Sequence, residues 1–116
     1  MPSKIEVLAA AISYVNEFHM PESEAFKLNN PGLLKATMLE QMESSNDDNV
    51  RSFSTRQGGE QALYEALRKK CLRYKNARLY EALAYLNVID SNLVVDYVNR
   101  AGQEVNKDTS LSWFLE

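Results

Sequence analysis

The chain has 116 residues, 45% of them hydrophobic, with 13 basic and 16 acidic side chains and a net charge of −3. That size and composition suit one globular domain and are too apolar for a disordered chain. The acidic balance argues against binding driven by phosphate contacts over the whole surface. One cysteine, Cys71, excludes an intramolecular disulfide and a cysteine-built metal site. With the single histidine, His19, far away in sequence, Cys71 is expected as a buried thiol.

The opening Met1-Pro2-Ser3-Lys4-Ile5-Glu6 lacks the long apolar core and small-residue cleavage site of a signal peptide. No apolar run approaches the ~18 residues of a membrane span. Synthesis in a cytoplasm is expected, with delivery to a cell wall, if any, left to a phage particle or another secretion route. Ser3 and Glu6 have capping-box spacing, and Ile5, Leu8, Ile12 and Val15 follow as one apolar stripe. This predicts a first helix running to about Phe18 or His19, before Pro21.

Pro21 to Gly32 reads as an ordered loop, with Asn29-Asn30-Pro31-Gly32 a strong turn signal. Leu33, Leu34, Thr37, Met38, Gln41 and Met42 suggest a second helix, ending in an exposed polar run from Ser44 to Asn49. Weak alternation over Val50–Thr55 suits a short strand or extended arm, so at most one small hairpin is expected, between about Ser44 and Thr55. Gly58-Gly59 reads as a break before a long helix from about Glu60, with Leu63, Leu67, Cys71 and Tyr74 on one face. Leu-Tyr-Glu-Ala-Leu occurs at 63–67 and again at 79–83, which suggests two helices with Leu and Ala on the core and a join near Asn76. Asp90 or Ser91 caps a helix whose face is Leu93, Val94, Tyr97, Val98 and Ala101, and Gly102 ends it. A last turn from about Asp108–Ser110 would lay Leu111, Trp113, Phe114 and Leu115 over the core. The predicted fold is mainly α, a single domain over 1–116 with about five helices.

Arg68, Lys69, Lys70 and Arg73, with Lys75 and Arg78, form a local basic cluster beside Tyr74 and Tyr80. It is a candidate for weak binding of an anionic polymer, although such a cluster is more often a solvated helix face. No pattern calls for a cofactor or a metal ion.

One stretch is more specific. Glu17, Pro21, Phe26 and Asn29-Asn30-Pro31-Gly32 fall at matching positions when the chain is set beside lysozyme-like domains of phage virion proteins and related cell-wall-degrading proteins. In those domains a helix ends in a Glu-Gly pair, and a loop leads to an aromatic residue and an Asn-Asn-Pro-Gly-Asn turn. Looser correspondence follows through Phe53, Gly58-Gly59, Ala62-Leu63, Tyr97, Gly102, Asp108-Thr109 and Leu111. The chain departs from the pattern at Phe18, where the family has Gly, at Leu33, where it has Asn, and at Leu86-Asn87-Val88, where a Trp-Ala-Pro-like segment is expected.

The resemblance implies a lysozyme-like fold, phage- or prophage-encoded, acting on the glycan strand of peptidoglycan, with Glu17 as general acid to the glycosidic oxygen. Such an acid has to hold its proton near neutral pH, which a partly apolar pocket favours. Phe18, Met20 and Phe26 stand nearby in sequence. Phe26, Asn29 and Asn30 are the implied substrate contacts. Asp47, Asp48 and Glu60 are open alternatives for a second carboxylate, and transglycosylases of this fold work with a single acid. The alternative is a non-catalytic helical protein, also of phage type, that binds and modulates a host protein. A nucleic-acid partner is not expected.

Overall fold

The computed structural model describes residues 3–35, 50–86, 88 and 90–116. The first helix, α1 (Lys4–Val15), begins with the expected capping box: Glu6 N donates to Ser3 Oγ at 3.1 Å and Ser3 N to Glu6 Oε1 at 3.2 Å. Its buried face is Ile5, Val7, Leu8, Ala11, Ile12 and Val15. The helix stops three or four residues short of the expected end, for a reason that lies in its capping geometry.

After α1 come a short α2 (Glu24–Lys27), a long α3 (Arg56–Arg73), α4 (Leu79–Tyr85), α5 (Ser91–Arg100) and a closing 3-10 helix (Leu111–Leu115). The described residues are thus mainly helical, and their only β pairings are two isolated antiparallel bridges, Lys35 with Val50 and Arg78 with Ser110. α1 packs between α5 and α3, the 3-10 helix lies on α3 and α1, and α4 leans on α5. The shared core takes Leu63, Leu67 and Cys71 from α3, Leu79, Ala82 and Leu83 from α4, Val94 and Val98 from α5, and Leu111 and Phe114 from the end of the chain. Both copies of Leu-Tyr-Glu-Ala-Leu therefore turn leucines inward, as expected. None of the helices in the described residues is long and apolar enough to cross a membrane.

Three expectations are corrected. Gly58 and Gly59 are not a break, because α3 starts earlier, capped by Thr55 Oγ1 accepting from Gly58 N at 2.9 Å, and runs through both. Tyr74 is not on the core face: it is the C-cap residue of α3 and exposed. The second helix from Leu33 does not start there, since Leu33 has φ 49° and Leu34 N donates to Asn30 Oδ1. Leu34 O in turn accepts from Arg51 N, so neither group is free for a helical ladder. The rest of that helix (Thr37, Met38, Gln41, Met42), the polar run 44–49 and the first arm of the expected hairpin lie outside the described residues. The second arm, near Val50–Phe53, pairs back to Leu34–Lys35 and Leu28 without forming a strand.

Candidate functional site

α1 ends in a Schellman motif. Phe18 N donates to Ser13 O and Glu17 N to Tyr14 O, with Glu17 left-handed at φ 63° between them. The same paired closure recurs after α2, where Asn29 has φ 53°, and after α5, where Gly102 has φ 96°. Glycine and asparagine suit that conformation, whereas a residue such as glutamate is held there at a cost of roughly 1 kcal/mol. Phe18 follows the motif and is buried, which anchors the helix end in the core side of the bend.

The turn after α2 is tied to this helix end. Asn16, fully buried, donates from Nδ2 to Pro31 O at 3.0 Å. Asn30, also fully buried, accepts from Leu34 N at 2.9 Å and donates to Leu34 O at 3.0 Å and Arg51 O at 2.8 Å. Asn29 donates to Phe53 O at 2.9 Å. α3 closes the junction from outside: a Cβ at Gly59 would sit 1.7 Å from Asn29 O, so only glycine admits that approach. The expected ordered turn is present. Its asparagines hold backbone, however, and neither lines the hollows described next. Asn30, the expected substrate contact, is placed with no exposed face and its amide bonded to backbone.

Two hollows meet on the surface beside Glu17. One, of about 550 Å³, lies between α1 and α3 and is lined by Glu6, Ser13, Tyr14, Phe18, His19, Arg56, Glu60, Gln61 and Tyr64 among others. The second, of about 420 Å³, is lined by Glu17, Met20, Leu93, Asp96 and Arg100. Tyr14, His19 and Tyr97 line both, so the two form one groove with an aromatic saddle. Tyr14 stacks on His19 with ring centroids 4.7 Å apart and planes 8° off parallel, and lies 5.5 Å from Tyr97. Tyr14, Met20 and Leu93 are about half exposed in the floor and rim. Arg100 is tied to Asp96 at 3.0 Å. Arg56 lies over the Phe18 ring at 4.1 Å and the Phe26 ring at 5.5 Å.

Of the residues expected from sequence, Glu17 and Glu60 lie in the groove, in different hollows, and Glu17 is exposed. Phe26 touches it through Arg56. Asp47 and Asp48 lie outside the described residues. Tyr14, Tyr97 and Arg56 were not singled out as site residues. For Tyr14 a signal existed, since it stands off the Ile5–Leu8–Ile12–Val15 stripe. For Arg56 none did, because only the fold brings it to Phe18.

Arg68, Lys69, Lys70 and Arg73 lie on the far half of α3, away from the groove. Arg68, Lys69 and Arg73 are exposed. Lys70 and Arg73 sit over the Tyr74 ring at 5.4 and 5.5 Å. Partial burial, and next the charge of Arg73, hold the Lys70 ammonium below its usual pKa. Cys71, on the core side of the same helix, is buried, and burial pushes its thiol up to about 11. Among the described residues, no three His, Cys, Asp or Glu side chains come together as a metal site requires.

Fold and groove together define a class: a small all-α domain with an aromatic groove across the end of its first helix. No family model, curated relative or solved structure matches the chain.

Proposed function

We propose that the chain is a lysozyme-like domain that takes a glycan strand of peptidoglycan in the groove between α1, α3 and α5, with Glu17 as the acid. The observation that carries this is the position of Glu17: it stands at the end of α1, at the lip of a groove whose saddle is Tyr14, His19 and Tyr97. Aromatic faces suit the apolar faces of sugar rings. Glu6, Glu60 and Gln61 offer hydrogen-bond acceptors to hydroxyls. Hydrolysis needs a proton delivered to the leaving oxygen as the anomeric carbon becomes oxocarbenium-like. Glu17 is exposed in the free protein, and a glycan seated in the groove would cover it and remove its water, so the unliganded geometry does not set the acid's working environment.

Glu17→Gln keeps shape and loses the transferable proton. Release of soluble fragments from purified cell walls should fall by about 10²-fold or more, with the melting temperature unchanged. A Gln variant as active as wild type would remove Glu17 from the mechanism.

One observation favours a second reading, binding without cleavage. The family pattern places a glycine after the acid, and a glycine at a helix end takes the left-handed conformation. Here the left-handed residue is Glu17 itself, which puts Asn16 at the preceding position, buried and bonded to Pro31 O. An amide there cannot donate the required proton. Folded wild type that binds glycan strands and cuts none between pH ~4 and ~8 would decide for this reading.

A further inference from the structure

We propose that Arg56 makes the groove selective for an acidic glycan, by receiving a carboxylate borne on the muramoyl unit. The inference rests on the glycan-binding reading above and adds a specificity determinant to it.

Arg56 is the first residue of the 18-residue α3 and is exposed at the edge of the larger hollow. Its guanidinium is not loose. It lies on the ring of Phe18, which is buried, with Phe26 as a second ring close by. The contact holds the guanidinium against the aromatic faces, and an arginine held over a ring keeps N–H donors for a ligand. No carboxylate among the described residues lies within ion-pair distance of it, whereas Arg78 pairs with Asp108 and Arg100 with Asp96. Arg56 is therefore the groove arginine without a carboxylate partner in the described residues. The positive end of the α3 dipole adds to its field.

The other charges narrow what it can take. Glu6 and Glu60 line the same hollow and repel an anion while accepting hydroxyl protons. A neutral sugar oligomer satisfies the carboxylates and the aromatic saddle and leaves Arg56 unused. A ligand with hydroxyls along its length and one carboxylate per repeat satisfies all of them. In a strand of alternating N-acetylglucosamine and N-acetylmuramate, that carboxylate comes from one of two sources. It is the free lactyl group of a peptide-free strand, or a carboxylate of the stem peptide attached there. Either meets a preorganised fork geometry that favours bidentate contact.

The test measures binding by titration calorimetry with three probes: chitotetraose, which has no carboxylate; the peptide-free glucosaminyl-muramoyl tetrasaccharide; and the same tetrasaccharide with stem peptides. Wild type should bind one or both acidic probes about tenfold more tightly than chitotetraose, an advantage that shrinks with added salt. Arg56→Gln should lose the advantage and bind chitotetraose as wild type does. Arg56→Lys should keep part of it, since charge remains and the fork does not. Whichever acidic probe is preferred identifies the source of the carboxylate. Equal binding of all three probes by wild type, or a preference that survives in Arg56→Gln, overturns the inference and leaves the glycan reading standing. Failure of wild type to bind any of the three sinks that reading, and this inference with it.

Discussion

The junction where α1, the Asn-Asn-Pro-Gly turn and the start of α3 meet contrasts with the far, basic half of α3. At the junction Asn16 and Asn30 are buried and bonded to backbone, Asn30 three times, and a carbonyl presses on a glycine. At the basic end, side chains of one sign extend into solvent and share one tyrosine ring. The first arrangement specifies a shape, and every part of it depends on its neighbours. The second specifies only a field, to which each charge adds separately. Substitutions should therefore cost much at one end of the same helix and little at the other.

Gly59→Ala is the sharpest way to test the contrast. Helix propensity alone favours alanine by about 1 kcal/mol, yet its Cβ would meet Asn29 O at 1.7 Å and Pro31 Cδ at 3.0 Å. Chemical denaturation should show a net loss of about 3 kcal/mol. Gly58→Ala, one residue away and facing only Thr55 Oγ1 at 3.0 Å, is the control and should be within about 0.5 kcal/mol of wild type. A tolerant Gly59 would mean that the turn and α3 move apart freely.

Next comes Asn30→Ala, which strips partners from Leu34 N, Leu34 O and Arg51 O in a buried site. The expected loss is about 2 kcal/mol by the same measurement, and a loss below about 0.5 kcal/mol would show that water replaces the amide. Smaller and opposite in sign is Glu17→Gly. Removing the side chain from a left-handed, exposed helix end should raise stability by about 1 kcal/mol, while the Gln variant should not. If Gly destabilises, the helix end is held by contacts of the Glu17 side chain. Last and least, changing Arg68, Lys69 and Arg73 together to Gln should move stability by under about 0.5 kcal/mol. A larger drop in melting temperature would place that end in the same category as the junction.

Local signals in the sequence were enough for the capped starts of α1 and α5, the closing glycine at 102, the inward leucines of both Leu-Tyr-Glu-Ala-Leu copies and the ordered turn. Each is settled within one helical turn or by apolar spacing. The errors come where the residue type is silent or a distant group decides. The sequence reading extends α1 too far because the closure at left-handed Glu17 falls on a residue type that does not signal it. Gly58-Gly59 reads as a break in sequence because nothing local shows Asn29 O arriving against Gly59. Leu33–Leu34 has helical composition, but Asn30 claims the Leu34 backbone first. The groove was half legible: Glu17 and Glu60 stood out as carboxylates, while Arg56 gains its place only through stacking on rings 38 and 30 positions earlier in the chain.

Lys4 Nζ reaches Trp113 O at 3.3 Å and lies 4.1 Å above the indole, so the start of α1 and the closing 3-10 helix are stitched side by side. Leads entering at residue 3 and leaving at residue 116 are therefore neighbours. A domain with this outlet geometry can be spliced into a surface loop of a larger protein without prying that host apart, or have its leads joined and new ones opened elsewhere.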